Sequence, residues 1–177
     1  ILSIDHVIVM PIARAVGIIV SQSLGAGLRQ RAEAAVDLGL TIVSLVIGSF
    51  IAFIVVAAEA FASVFVSEPE VVTAAAAMAR IFGPSVLGFS LLTLAMGVAR
   101  SSGHTLFVSL LGIARLWLLR VPLSHLLAYE MGLGYVGIWL GMALSNQLTG
   151  LASLLWLASR TWARPIIRQA PSGPVEA

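Results

Sequence analysis

Five stretches of nearly unbroken apolar residues run along the chain, near 4–24, 36–57, 74–99, 106–127 and 133–158, with short polar connectors between them. An α-helix rises about 1.5 Å per residue, so roughly 20 such residues cross a hydrocarbon layer about 30 Å thick. Each stretch is therefore predicted to be a transmembrane helix. Strands of a membrane barrel would read as alternating segments of about ten residues. Residues 43–58 carry apolar side chains on every side and exclude that pattern. The expected fold is an all-α, polytopic membrane helix bundle over residues 1–163, followed by a cytoplasmic tail, 164–177, expected to be disordered.

The polar connectors orient the bundle. The first carries Arg29 and Arg31, the third Arg100 and His104, and the segment after the last span Arg160, Arg164 and Arg168. Alternation puts all three on one side, which the positive-inside rule makes the cytoplasm. The second connector offers Glu59, Glu68 and Glu70, the fourth only Glu130, and Asp5 at the chain start falls on their side. The C-terminus is thus predicted to be cytoplasmic and the first residue external. Five spans with an external start, no signal peptide and no initiator methionine imply at least one further helix upstream.

Composition narrows the class. Of 177 residues 59% are hydrophobic and 10% charged, and the mean hydropathy is +1.04, which places the chain outside the range of soluble domains. The pI near 9.9 comes from dispersed arginines without a single lysine, which is no footprint for nucleic acid. With no cysteine, disulfides, thiolate metal sites and cysteine nucleophiles are excluded.

Prolines and glycines mark departures from straight rods. Pro11, Pro84 and Pro122 lie within the first, third and fourth spans, and each removes a backbone hydrogen bond and crowds the preceding turn, so kinks are expected there. Gly137, Gly141 and Ser145 recur every four residues in the last span and form a small-residue packing face for a neighbouring helix.

Apparent catalytic motifs do not survive their context. Gly132, Gly134 and Gly137 have the spacing GxGxxG, but a dinucleotide site needs a strand before them and a βαβ unit around them. Ser3, Asp5 and His6 contain the residue types of a hydrolytic triad, yet near neighbours in sequence cannot adopt its geometry. His6 and His125 are predicted outside and His104 inside, so no histidine cluster holds a metal. No enzyme is expected, and no metal or cofactor.

Polar residues inside the spans carry more information. A central arginine is unfavourable by about 2.5–3.5 kcal/mol on insertion scales and must face protein or water. Arg14 falls near the middle of the first span and is expected to meet a carboxylate or an aqueous cavity. Arg115 lies in the fourth span, either snorkelling to the cytoplasmic interface or facing inward. Gln22, Asn146 and Gln147 are buried amides that serve as interhelical hydrogen-bond partners or as substrate contacts. Arg80 and Arg120 are placed near the outer ends, as interface anchors.

Several of these stretches resemble one family. QSLGAG at residues 22–27 followed by Arg31, RLWLLRVPL at 115–123, GLGYVGIW at 132–139 and Trp162 beyond the last helix are similar to elements of the multidrug and toxic compound extrusion (MATE) transporters. VARSSGHT at 98–105 is similar to the family's Arg-Gly-x-Gly connector. The resemblance implies twelve helices in two pseudo-symmetric lobes, with this chain supplying five helices of the second. It further implies a multidrug antiporter of the cell membrane, rocking between two access states, with a small-molecule substrate, contacts to lipid, and the N-terminal lobe as partner. Arg14, Gln22, Arg115, Asn146 and Gln147 are the substrate-pathway candidates. Some branches of the family carry a coupling aspartate with a nearby tyrosine on the helix matching the third span, but residues 81–98 contain neither. A sodium or proton coupling ion is therefore expected of the whole protein and is not assignable within this chain. Arg14 would repel a cationic substrate and fits a neutral or anionic one. Alternatives are a lipid-linked oligosaccharide flippase of related architecture, or a channel or non-transporting membrane scaffold.

Overall fold

The computed structural model describes residues 5–164, with side chains from Val7 onward. Ser3, the Asp5 and His6 side chains, and the expected tail with Arg168 lie outside the described residues, Arg164 apart. A π-helical turn (Asp5–Val9) leads into α1 (Met10–Gly25), followed by α2 (Arg29–Val56), α3 (Ala58–Ser63), α4 (Pro69–Phe82) and α5 (Ser85–Ser102). The fourth rod is composite, with α6 (Thr105–Ala114), a π-helical Arg115–Arg120, α7 (Val121–His125) and a π-helical Leu126–Glu130. The last long helix is α8 (Gly134–Ala158), and a 3₁₀ turn, Thr161–Ala163, follows it. There is no strand among the described residues. Five rods, Val7–Gly25, Arg29–Val56, Ser85–Ser102, Thr105–Glu130 and Gly134–Ala158, are long and apolar enough to cross a membrane, the number expected.

Two boundaries differ from the sequence expectation. The second span begins at Arg29 rather than near residue 36, because its polar first turns stay helical through an Arg29–Glu33 ion pair of 2.7 Å at spacing i,i+4. The third, expected as one rod over 74–99, is two helices. Pro84 has no N–H to continue the ladder, so α4 closes with Gly83 N–H donating to Ala79 O at 2.8 Å, and α5 restarts with Val86 N–H donating to Gly83 O at 3.0 Å. Pro11 and Pro122 also sit beside irregular backbone, since a π-helical turn precedes α1 and π-helical segments flank α7. A proline cannot donate to the carbonyl four residues back, and widened i→i+5 bonding nearby accommodates the missing bond.

The core follows from which helices are apolar on one stripe and which on all sides. α2 buries Ala32, Val36, Gly39, Val43, Ile47 and Ile54, one stripe at spacings of three, four and seven. Its opposite face leaves Leu38, Leu45 and Phe53 uncovered, the surface expected to meet lipid. α5 instead buries Val86, Gly88, Leu91, Leu94, Ala95 and Val98 around its circumference, and it packs along α8 on one side and α1 on the other. Bundles in lipid gain little from hydrophobic association between helices and depend on close backbone approach. Gly88 of α5 and Gly150 of α8 meet backbone to backbone, and a Cβ on Gly150 would stand 2.6 Å from Gly88 O. Gly137 and Gly141 likewise lie against the backbone of the fourth rod at Leu127, Ala128 and Ser124. Gly132 and Gly134, at φ 67° and 54°, shape the turn before α8 in a left-handed conformation that favours glycine.

One end of the bundle is clasped after α8. Arg160 takes φ 56° and turns the chain back, so that the fully buried Trp162 donates its indole N–H to Leu157 O at 2.9 Å. The Arg160 guanidinium meets both carboxylate oxygens of Asp37 on α2, at 2.7 and 2.8 Å. At the opposite end of α2, Glu59 pairs with Arg80 at 3.1 Å.

Candidate functional site

The polar residues of the last three rods converge at mid-depth. Asn146 lies midway along α8, and Arg115 and Arg120 are equally far from the two ends of the fourth rod. The fully buried Asn146 accepts, on its single Oδ1, Arg115 Nη1 at 3.0 Å and Arg120 Nη2 at 2.8 Å. Arg120 Nε also donates to Ser145 Oγ at 3.3 Å. On its other side, Asn146 Nδ2 donates to Ser85 Oγ at 3.3 Å, and that hydroxyl donates to Phe82 O at 2.7 Å. The Arg115 guanidinium stacks over the Phe89 ring, 4.7 Å from its centroid, a cation–π contact that desolvation strengthens. The adjacent Gln147, expected to be buried, is exposed, and its Nε2 donates to Pro84 O at 3.1 Å. Asn146 and Gln147 thus tether α8 to the Gly83–Pro84 break.

The backbone explains how two arginines reach one oxygen. Five residues apart on an α-helix they would point about 140° away from each other, at about 100° per residue. Residues 115–120 are π-helical, and the wider winding of i→i+5 bonding brings residues five apart toward the same face. Sequence depth alone had put Arg120 at the outer interface as an anchor. The structure corrects that placement, because the π-helical winding turns its guanidinium inward onto Asn146 and Ser145. Pro122, two residues on, is the sequence signal for this winding, since it denies Leu118 O its usual donor. Arg115 does not snorkel to the interface but joins the same cluster. Ser85 and Phe89 belong to it as well, although neither carries a charge that would single it out.

The two guanidinium groups lie close together. Because both guanidinium groups touch one atom, their donating nitrogens are at most about 6 Å apart, a repulsion of about 3 kcal/mol at an effective dielectric near 20. A neutral amide orients these groups and cancels neither charge. No aspartate or glutamate occurs between Glu70 and Glu130 or between Glu130 and Glu176, so α5, the fourth rod up to its last residue, and α8 bring no carboxylate of their own. Arg14 and Gln22 stand apart from this cluster, both on the uncovered side of α1. Gln22, expected to be buried, is exposed because α1 turns Ala13, Val16, Gly17, Val20 and Ser23 to the core. An apolar groove of about 780 Å³ along Leu118–Glu130, with His125 and Glu130 at its rim, contains none of the clustered residues.

A bundle of this kind is the architecture of a multi-pass membrane protein. The MatE family model matches residues 1–126, and the chain belongs to that family, one of transporters rather than enzymes. Among curated relatives, it is 30% identical over 153 residues to Protein DETOXIFICATION 34 of Arabidopsis thaliana, covering 86% of this chain and 28% of that protein. It is 24% identical over 161 residues to Multidrug and toxin extrusion protein 1 of Oryctolagus cuniculus, covering 91% and 28% respectively. Among solved structures, an inward-facing conformation of a multidrug resistance MATE family transporter of the MOP superfamily matches with a TM-score of 0.77 at 19% identity, over 90% of this chain and 38% of that one. The chain therefore spans less than a third of the length of these two curated relatives.

Proposed function

We propose that this chain forms part of the second lobe of a multidrug efflux transporter, a cation-coupled antiporter in which two lobes rock about a central cavity. The observation that carries this reading is the Arg115–Asn146–Arg120 cluster at mid-depth, built where one helix is broken and another is π-wound. Ionisable residues at such depth mark substrate or ion pathways. Arg115, Asn146 and Gln147 form one part of the pathway, and Arg14 and Gln22, on the uncovered side of α1, face the N-terminal lobe of the same polypeptide. The sodium- or proton-coupling carboxylate comes from that lobe, since the spans around the cluster contain none. The basic connectors support a cytoplasmic C-terminus in the cell membrane. A lipid-linked oligosaccharide flippase of related architecture is the second reading, which a string of cavity-facing cationic residues longer than Arg14, Arg115 and Arg120 would favour.

The test uses the complete polypeptide in proteoliposomes, with imposed sodium or proton gradients and labelled cationic, neutral and anionic drugs. Gradient-dependent solute movement is expected. Downhill ion flux with no solute counter-movement would instead indicate a channel, and transfer of a lipid-linked saccharide between leaflets would indicate the flippase.

A further inference from the structure

We infer that the hairpin of α3 and α4, residues 58–82, is a flap that swings about the Gly83–Pro84 break while α5 and α8 stay fixed. The hinge stands on geometry alone, and only its use, as a gate at one end of the bundle, rests on the transporter reading above. Its boundaries come from the backbone. Ala57, at φ −95° and ψ 18°, leaves helical geometry between α2 and α3. At the other end Pro84 has no N–H to give Arg80 O, so the helical ladder is interrupted there. Between these points the hairpin holds to itself, since α3 packs on α4 and Glu59 pairs with Arg80 at 3.1 Å. It holds to the rest of the chain far less. α4 buries two of its fourteen residues, Ala76 and Phe82, whereas α5, directly beyond the break, buries ten of eighteen. Segments with few buried contacts are those that move at least cost.

The break itself is built as a pivot. Hinges are a few element-terminal residues that absorb a change of φ and ψ, and a ladder interrupted by proline has one backbone bond fewer to resist it. The fixed side is pinned to α8, where Gln147 Nε2 donates to Pro84 O at 3.1 Å and Asn146 Nδ2 donates to Ser85 Oγ at 3.3 Å. α8 and α5 are themselves in backbone contact at Gly150 and Gly88, which holds this side in place. Across the break, a side-chain bond reaches the moving side, from Ser85 Oγ to Phe82 O at 2.7 Å. A bond of this kind bends a helix locally and opens without unwinding the helix on either side. Ser85 is therefore the latch. Since α4 also packs on α8, its swing uncovers a face of α8 next to the Asn146 cluster and, by freeing the Ser85 hydroxyl, reaches the Asn146 hydrogen bond as well.

The test is a pair of distance measurements by double electron–electron resonance on the complete polypeptide in nanodiscs, with spin labels on cysteines introduced into a background free of others. One pair, at Thr73 on α4 and Leu148 on α8, reports the flap, and the other, at Leu106 on α6 and Leu148, reports the fixed part; all three positions are exposed. The flap pair is expected to show two distances and the fixed pair one. Ser85→Ala should raise the ratio of the longer to the shorter about fivefold, the usual weight of one lost side-chain hydrogen bond. Pro84→Ala restores the donor for Arg80 O, joins α4 to α5, and should leave only the shorter distance. A merely structural Ser85 would lower the unfolding temperature of Ser85→Ala without producing a second distance, and that result would overturn the proposal. So would two distances that persist in Pro84→Ala, which put the pivot elsewhere, and so would equal changes in both pairs, which mean that the lobe moves as one body. Gradient-driven solute uptake by the same protein tests the transporter reading separately. Two distances without uptake leave the hinge standing and sink that reading, whereas full uptake by Pro84→Ala held at the shorter distance would show that the flap is no gate.

Discussion

Arginine is used in two opposite ways in this molecule. At the end of the bundle, Arg160 meets both oxygens of Asp37 at 2.7 and 2.8 Å, with the carboxylate side chain about half exposed. At mid-depth, Arg115 and Arg120 share one oxygen of a neutral, fully buried amide. One arginine closes on a carboxylate at the half-exposed end of the bundle, and two are joined through one amide at mid-depth. The clasp joins α2 to the segment after α8, whereas the central cluster joins the third, fourth and fifth rods through one side-chain amide.

Separating the two regions by substitution is the direct way to break this comparison. The largest stability loss is expected at the clasp but not from its ion pair. Trp162→Ala removes a fully buried indole and should cost about 3–5 kcal/mol, seen as a large fall in the thermal unfolding midpoint of the complete protein. Asn146→Leu is next, at about 3 kcal/mol, because two guanidinium groups lose their shared acceptor. A variant as stable as the parent would show that the arginines find other partners at no cost. Gly150→Ala drives a Cβ into Gly88 at the α5–α8 crossing and should cost about 1–3 kcal/mol, with loss of transport through a displaced Asn146. The smallest effect is at Arg160. Arg160→Ala should cost less than about 1 kcal/mol and the loss should shrink further at high salt, as for other exposed pairs. Arg160→Gly should unfold above Arg160→Ala, because φ 56° is strained by about 1 kcal/mol for a residue with a Cβ. A larger effect at Arg160 than at Asn146 would reverse the comparison.

Much of the fold was legible from hydrophobic pattern alone. The number of spans, the helical class and the turn glycines before α8 all follow from residue type and spacing, because lipid forces each backbone group to be satisfied within its own helix. The breaks were partly legible. Pro84 marked an irregular position, but whether the result is a kinked rod or two helices depends on Gly83 beside it and on Gln147 bonding Pro84 O from a helix 63 residues away. The site was legible in its parts and not in its assembly. Arg115, Asn146 and Gln147 stood out as polar residues in apolar spans, whereas Arg120 was misplaced because linear depth alone put it at the interface.

The sequence by itself thus determined that this chain is five membrane-crossing helices with polar residues buried among them, since burial in lipid is decided residue by residue from apolar length. Its motifs, read as a resemblance, led to the transporter family as well. Only the tertiary structure decided which polar residues meet. The π-helical turn between Arg115 and Arg120 exists because Pro122 withdraws a backbone donor, and the close Gly88–Gly150 crossing sets Asn146 opposite it. Pro122 signals the winding locally, but no local pattern encodes the meeting of the two rods. That meeting depends on two helices arriving at the same depth, where Asn146 gathers both arginines.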